Sequence, residues 1–180
     1  MRWFRSSKNA IESLVEAHYA ALYRYAYRLS GSAQQAEDLT QETFCLAQNK
    51  LHQLREPERA KSWLFSILRN AYLHHLRSTK QEKQVSLDGV GDLPDRTSEA
   101  LPAIDSAQLQ MALNELPEAF RAPLILFYFE EFSYRDIAEQ LEVPLGTVMS
   151  RLARAKTFLR QRLTDHAELI GKVDQGEVKR

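Results

Sequence analysis

The chain is short of the features that would place it outside an ordinary reducing interior. One cysteine in 180 residues, Cys45, excludes an internal disulfide framework and a cysteine-based zinc cluster. No apolar run approaches the ~18 residues of a membrane span, and Met1-Arg2-Trp3-Phe4-Arg5 is not followed by an apolar signal core. We therefore expect a soluble cytoplasmic protein with no membrane insertion. Alternating strand patterns are missing at any useful length, which leaves helix as the regular structure. There is no phosphate-binding glycine loop and no nucleophile motif. His74 and His75 point about 100° apart on a helix, and His18, His52 and His166 have no ligand spacing. No enzyme, cofactor or metal is expected. A charge surplus is missing too: 24 Lys+Arg stand against 24 Asp+Glu. Zero net charge argues against a polyanionic partner only if the charges are evenly spread.

They are not. Residues 1–80 hold 12 basic and 7 acidic groups, 81–105 hold 2 and 6, 106–145 hold 2 and 7, and 146–180 hold 8 and 4. Two stretches contain no acid. From Arg59 to Gln81 the charges are Arg59, Lys61, Arg69, Arg77 and Lys80; from Gly146 to Thr164 they are Arg151, Arg154, Lys156, Arg160 and Arg162. A single basic helix face is commonly a solvated surface, but two in one neutral chain point to nucleic acid.

Residues 81–105 combine Gly89, Gly91, Pro94 and Pro102 with most of their acids and little apolar period, and read as a flexible acidic linker. Both flanks show helical period, so the expected fold is all-α: two small helical domains, 1–80 and 106–165, with a tail at 166–180. In the first domain Ile11, Leu14, Val15, His18, Leu22, Tyr25 and Leu29 form one stripe, stopped at Ser30-Gly31. Ser32 with Gln35 gives a capping-box start for a second helix with an apolar side of Ala36, Leu39, Thr43, Leu46 and Leu51. Its other side presents Asp38, Gln41, Glu42 and Cys45. Like charges one turn apart cost an isolated helix a few tenths of a kcal/mol. The face is either plainly solvated or an acidic knob for a basic partner.

Pro57 favours a helix start, and the period runs to about Thr79. Trp63, Leu64, Ile67, Leu68 and Ala71 form its core stripe, with Ser66, Arg69, Asn70, Leu73, Arg77 and Lys80 on an opposite arc bordered by Phe65, Tyr72 and Leu76. Cations that follow phosphates beside rings that stack on bases suit single-stranded DNA. Burial of Phe65, Tyr72 and Leu76 against the first helix is the alternative.

The second domain opens with Asp105 as N-cap before Leu109, Ala112, Leu113 and Leu116; Pro117 starts the next helix, and Pro123 sits early in it as a possible kink. Ser133-Tyr134-Arg135-Asp136 caps a short helix with Ile137, Ala138 and Leu141 inward. After Val143-Pro144-Leu145 a last helix starts at Gly146 or Thr147, buries Val148, Leu152, Ala155 and Leu159, and presents Thr147, Ser150, Arg151 and Arg154. This is the pattern of a helix-turn-helix. Its second member places arginine against guanine edges and Ser/Thr against phosphate in a major groove. Glu142 occupies the turn position where glycine best tolerates positive φ.

Several segments resemble bacterial RNA polymerase sigma factors of the extracytoplasmic-function (ECF) group, in the right order over about 10–165. They are Ala36-Glu37-Asp38-Leu39-Thr40-Gln41-Glu42-Thr43-Phe44, Ser62 to Asn70, Leu116-Pro117, Phe132 to Ala138, and Val143 to Ala155. The resemblance implies a promoter-specificity subunit in two domains, regions 2 and 4. Asp38, Gln41 and Glu42 would bind the β′ coiled coil of core RNA polymerase. Phe65, Ser66, Arg69, Asn70, Tyr72, Leu73, Arg77 and Lys80 would read and open the minus-ten element, with the loop from about Leu51 to Ala60 holding a flipped-out base. Thr147, Met149, Ser150, Arg151 and Arg154 would read the minus-thirty-five element. The linker would thread toward the active-site cleft and RNA exit path, against the β subunit as well, and an anti-sigma factor is the implied inhibitor. Met149 stands where the family often has Lys or Arg, Glu142 replaces the turn glycine, and His74-His75 stand where an acid is common. A stand-alone duplex-binding regulator is the rival reading, but it leaves the basic helix and acidic face unexplained. Compensating charge also leads us to expect weak promoter binding by the isolated chain, through masking by the linker or between domains.

Overall fold

The computed structural model describes residues 7–78 and 106–174, with side chains at 10–78 and 106–164. The expected linker at 81–105, Lys80 and the Asp105 cap lie outside the described residues. No strand occurs among those described; seven α-helices do.

The first helix, α1 (Ser7–Ser30), buries Leu14, Leu22, Tyr25 and Leu29 on the stripe read from the sequence. It ends because Gly31 turns left-handed at φ 72°, with its N–H donating to the Tyr27 carbonyl at 2.7 Å. Ser32 is then extended, and its hydroxyl accepts from the Gln35 N–H at 3.3 Å to start α2 (Ala33–Lys50). Such a cap is worth ~1 kcal/mol. Thr40 and Thr43 are fully buried in α2 because their hydroxyls donate to the Ala36 and Leu39 carbonyls, each at 2.6 Å.

Pro57 opens a single 3₁₀ turn, Pro57–Arg59, and α3 begins behind it (Ala60–Ser78), three residues later than the proline alone suggests. Leu64, Leu68 and Ala71 of α3 close the core against α1 and α2. Each buried leucine contributes about 1.5–3 kcal/mol relative to exposure.

The remaining helices are α4 (Ser106–Glu115), α5 (Glu118–Tyr128), α6 (Tyr134–Leu141) and α7 (Leu145–Asp174). Pro117 is extended and stands just before α5 rather than inside it, and α5 continues through Pro123 to Tyr128. The last helix starts at Leu145, a residue earlier than the sequence reading, and its backbone runs past the expected domain end at 165. It packs along α5, α6 and α4. The two halves touch: α1 meets α4 and α5, and α3 meets α6.

Candidate nucleic-acid interface

On α2, Asp38, Gln41 and Cys45 are exposed and Glu42 is half-buried. The two buried threonines fix the opposite side of the same helix, so the acidic face is held outward. His75 of α3 places Nε2 3.0 Å from Glu42 Oε2. The sequence reading weighed His75 as a metal ligand and as a departure and missed this pairing, which no local spacing announces.

The arc on α3 is divided. Asn70 and Arg77 are exposed, and Leu73 and Ser66 are half-buried, with the Ser66 hydroxyl donating to the Ser62 carbonyl at 3.1 Å. Phe65 is fully buried, its ring 5.0 Å from that of Tyr25 and 5.2 Å from that of Phe132 in the second domain. Tyr72 is buried and donates its hydroxyl to the Leu29 carbonyl at 2.9 Å; burial pushes its pKa up. Arg69 donates from Nε to Glu118 Oε1 at 2.9 Å. Phe65 thus packs on the first helix, as one of the two sequence readings had it, but also on a ring 67 positions onward.

More contacts join the halves. Lys61 Nζ donates to the Glu130 carbonyl at 2.6 Å and stands 4.9 Å from the Phe132 ring centroid. The Arg28 guanidinium lies 3.7 Å over the Phe129 ring. Gln110 donates to the Arg28 carbonyl at 3.2 Å, and Arg121 donates to the Leu29 carbonyl. Arg59 meets Glu139 at 2.6 Å. Glu130 is only 3% exposed, with Oε1 unpartnered; burial pushes its carboxyl up, against the pull of Arg24, Lys61 and Arg28. A cleft of about 430 Å³ opens beside this seam, lined by Arg55 and Glu56 of the loop, by Trp63 and Ser66, and by Glu139 and Gln140 of α6. Trp63, expected wholly in the core, is half-buried and lines it. The loop expected to hold a base therefore has a roof from the second domain.

The helix-turn-helix is built as its caps dictate. Ser133 and Asp136 form a capping box: the Ser133 hydroxyl accepts from the Asp136 N–H at 3.2 Å, and Asp136 Oδ2 accepts from the Ser133 N–H at 3.2 Å. Glu142 turns left-handed at φ 54°, ψ 43°. Its N–H donates to the Glu139 carbonyl at 3.3 Å and the Val143 N–H to the Ala138 carbonyl at 3.1 Å, the pair of bonds that closes a helix in a Schellman turn. Val148, Leu152 and Ala155 bury the inner side of α7. Met149, Ser150 and Arg154 are exposed, and Thr147 and Arg151 half-buried, near the helix N-terminus. Met149 stays 51% exposed, so packing gives no reason for an apolar residue there.

Among the described residues no group of His, Cys, Asp and Glu could hold a metal ion, and no helix is long and apolar enough to cross a membrane.

Residues 14–82 match Sigma-70 region 2, and residues 106–159 match Sigma-70, region 4. The ECF RNA polymerase sigma factor SigE of Mycolicibacterium smegmatis is 36% identical over 164 residues, covering 87% of this chain and 62% of that one. SigL of Mycobacterium tuberculosis is 34% identical over 158 residues, covering 86% and 89%. Among solved structures, the sigma factor RpoE in complex with the anti-sigma factor NepR, from Bartonella quintana, is similar at a TM-score of 0.70 and 30% identity, over 85% of this chain and 96% of that one.

Proposed function

The chain belongs to the ECF group of sigma-70 RNA polymerase sigma factors, and on that premise we propose a role for each exposed surface described above. Its function is promoter-specific transcription initiation with core RNA polymerase, and it is not an enzyme. The acidic face of α2, Asp38, Gln41 and Glu42, binds the β′ coiled coil. The α3 arc, Ser66, Arg69, Asn70, Leu73 and Arg77, with Lys80 beyond it, captures unstacked minus-ten bases; Phe65 and Tyr72, assigned to it from the sequence, are buried here, between Tyr25 and Phe132 and against the Leu29 carbonyl. Unstacking costs a few kcal/mol per step, and stacking one or two bases at ~1–3 kcal/mol each tips the opening. Thr147, Met149, Ser150, Arg151 and Arg154 read the minus-thirty-five element in the major groove. The linker meets the β subunit along the RNA exit path. Action on polymerase supports a cytoplasmic location, and the likeness to a factor crystallised with NepR supports an anti-sigma partner for this chain as well.

The observation that carries this reading is the helix-turn-helix on the same chain as an outward acidic helix and a basic one. Transcripts made by core polymerase with this protein on genomic DNA test it. Discrete start sites sharing two upstream elements are expected; starts no different from those of core alone would refute it.

A further inference from the structure

Docking and DNA reading are assigned to different helices, yet one side chain of α3 reaches the acidic face of α2. Leu64, Leu68 and Ala71 are buried on α3, and His75 continues their row one turn on, exposed where the row leaves the core beside α2. That last turn is tied down by the Ser78 hydroxyl, which donates to the His75 carbonyl at 2.8 Å. The imidazole Nε2 lies 3.0 Å from Oε2 of Glu42, and both side chains are partly exposed. Packing of α3 on α2 therefore decides where the imidazole stands. Glu42 needs such a neighbour. Asp38 carries the same charge one turn before it, which disfavours the two carboxylates lying together, and a glutamate left alone rotates about its side-chain bonds. A partner that docks on Glu42 has to stop that rotation, and immobilising a flexible side chain costs affinity.

We propose that His75 is a positioning residue for polymerase docking: it donates from Nε2 to Glu42 Oε2 and holds that carboxylate ready for a cation of the β′ coiled coil, which takes the other oxygen. The proposal rests on the assignment of Asp38, Gln41 and Glu42 to docking. A carboxylate has room for both bonds, because each oxygen offers more than one acceptor position. In the free protein the pair stands in water and contributes little to stability. Docking excludes that water, and the same bond is stronger in the drier interface. The effect of His75 is therefore on affinity rather than on the fold. It acts through Glu42 and makes no contact with polymerase itself.

The test measures the affinity of the full chain for core polymerase, by competition with a labelled copy of the unaltered protein, beside its melting temperature. His75→Leu removes the donor, and His75→Gln keeps an N–H near the place of Nε2. His74→Leu, at the exposed position next to it on α3, is the control. His75→Leu should bind roughly two- to tenfold more weakly, the cost of a side chain no longer held in advance, and should melt as the unaltered protein does. His75→Gln should recover most of that loss, and His74→Leu should show none. In a Glu42→Ala background His75→Leu should cost nothing further, because a residue that acts through another has no effect once the other is gone. Unchanged or tighter binding by His75→Leu overturns the proposal, tighter binding by making the imidazole a competitor for Glu42. A loss that persists without Glu42 overturns it too, by placing His75 itself against polymerase. So does a loss shared by His74→Leu, one that glutamine leaves in place, or one that follows a lowered melting temperature. Glu42→Ala alone separates the two readings: full affinity in that variant faults the docking assignment of Glu42, whereas weakened binding there with none lost by His75→Leu faults only the positioning.

Discussion

Arg69 and Glu118, 49 positions apart, meet at 2.9 Å with side chains only 15% and 18% exposed. Arg59 and Glu139 meet at 2.6 Å across the same seam but are 57% and 67% exposed. Screening by solvent separates the two pairs despite the shorter distance in the second. Double-mutant cycles on thermal unfolding should give a coupling of about 1 kcal/mol or more for Arg69 with Glu118. Arg59 with Glu139 should give a few tenths. Equal couplings would mean that the first pair is as wet as the second.

Asp38→Arg with Glu42→Arg should abolish co-purification with core polymerase and leave the helical content unchanged. Asp38 is exposed, and the core on this helix rests on Leu39, Thr40 and Thr43 from its other side. Glu42 does have a neighbour, His75 at 3.0 Å, so Glu42→Ala alone serves as a check that losing this contact does not unfold the domain. Undiminished transcription in vitro by the double variant would remove the docking assignment.

Arg151→Ala and Arg154→Ala should each weaken binding of the holoenzyme to a minus-thirty-five element by ~1–3 kcal/mol if they make bidentate base contacts, and should relax preference at one base pair each. A phosphate contact would instead weaken all sequences alike and lower the salt dependence. Arg154 is exposed and Arg151 half-buried, so the larger specificity change is expected at Arg154. Unchanged footprints for both would exclude this helix face.

What could be read from the sequence was local. The Ser32 and Ser133 caps and the Gly31 stop follow from neighbours within a few residues, and each is where the residue types place it; the left-handed turn falls at Glu142 by its place in the helix-turn-helix, against its residue type. The stripe on α1 and Thr43 of α2 follow from period, whereas the buried Thr40 is not among the residues read as apolar-side. What period does not encode is which exposed arc another domain will cover. Phe65 and Tyr72 look the same from the sequence whether they await a base or lie under Phe132 and against the Leu29 carbonyl. Glu130 reads as one more surface acid, yet it is buried beside three cations contributed by residues over 60 positions away. Trp63 leaves the core for the cleft for the same reason.

Glu142 holds a left-handed conformation that suits glycine, at a cost of ~1–2 kcal/mol for a side chain with a Cβ. Glycine removes that strain but loses more chain entropy on folding, by ~0.4–1 kcal/mol. Glu142→Gly should therefore stabilise the protein by roughly half to 1 kcal/mol, and Glu142→Val should destabilise it by more than that. A midpoint that falls with glycine would mean that the exposed Glu142 side chain contributes an interaction larger than the strain.

The buried Glu130 carboxyl fixes a pH dependence with a definite sign. Burial holds its pKa above the ordinary 4.5, outweighing Arg24, Lys61 and Arg28, with Glu131 adding to the rise. The folded form then binds that proton more tightly than the unfolded chain does. Acidification from neutral pH toward about 4.5 should stabilise the folded form through this group, and raising the pH through the folded pKa should withdraw the contribution. His18 acts oppositely: burial, and then Lys61, hold its imidazole below 6.5, so protonation beneath that pH disfavours the folded form. Comparing the protein with Glu130→Gln cancels the histidine. At pH 7.5 the variant, free of a buried charge, should melt at a higher temperature, with each kcal/mol appearing as about 2–4 °C. As the pH falls, the gap should shrink as the native carboxyl takes up its proton. A variant that melts lower at pH 7.5 would show that the three cations outweigh burial, and that the charge on Glu130 holds the domains together.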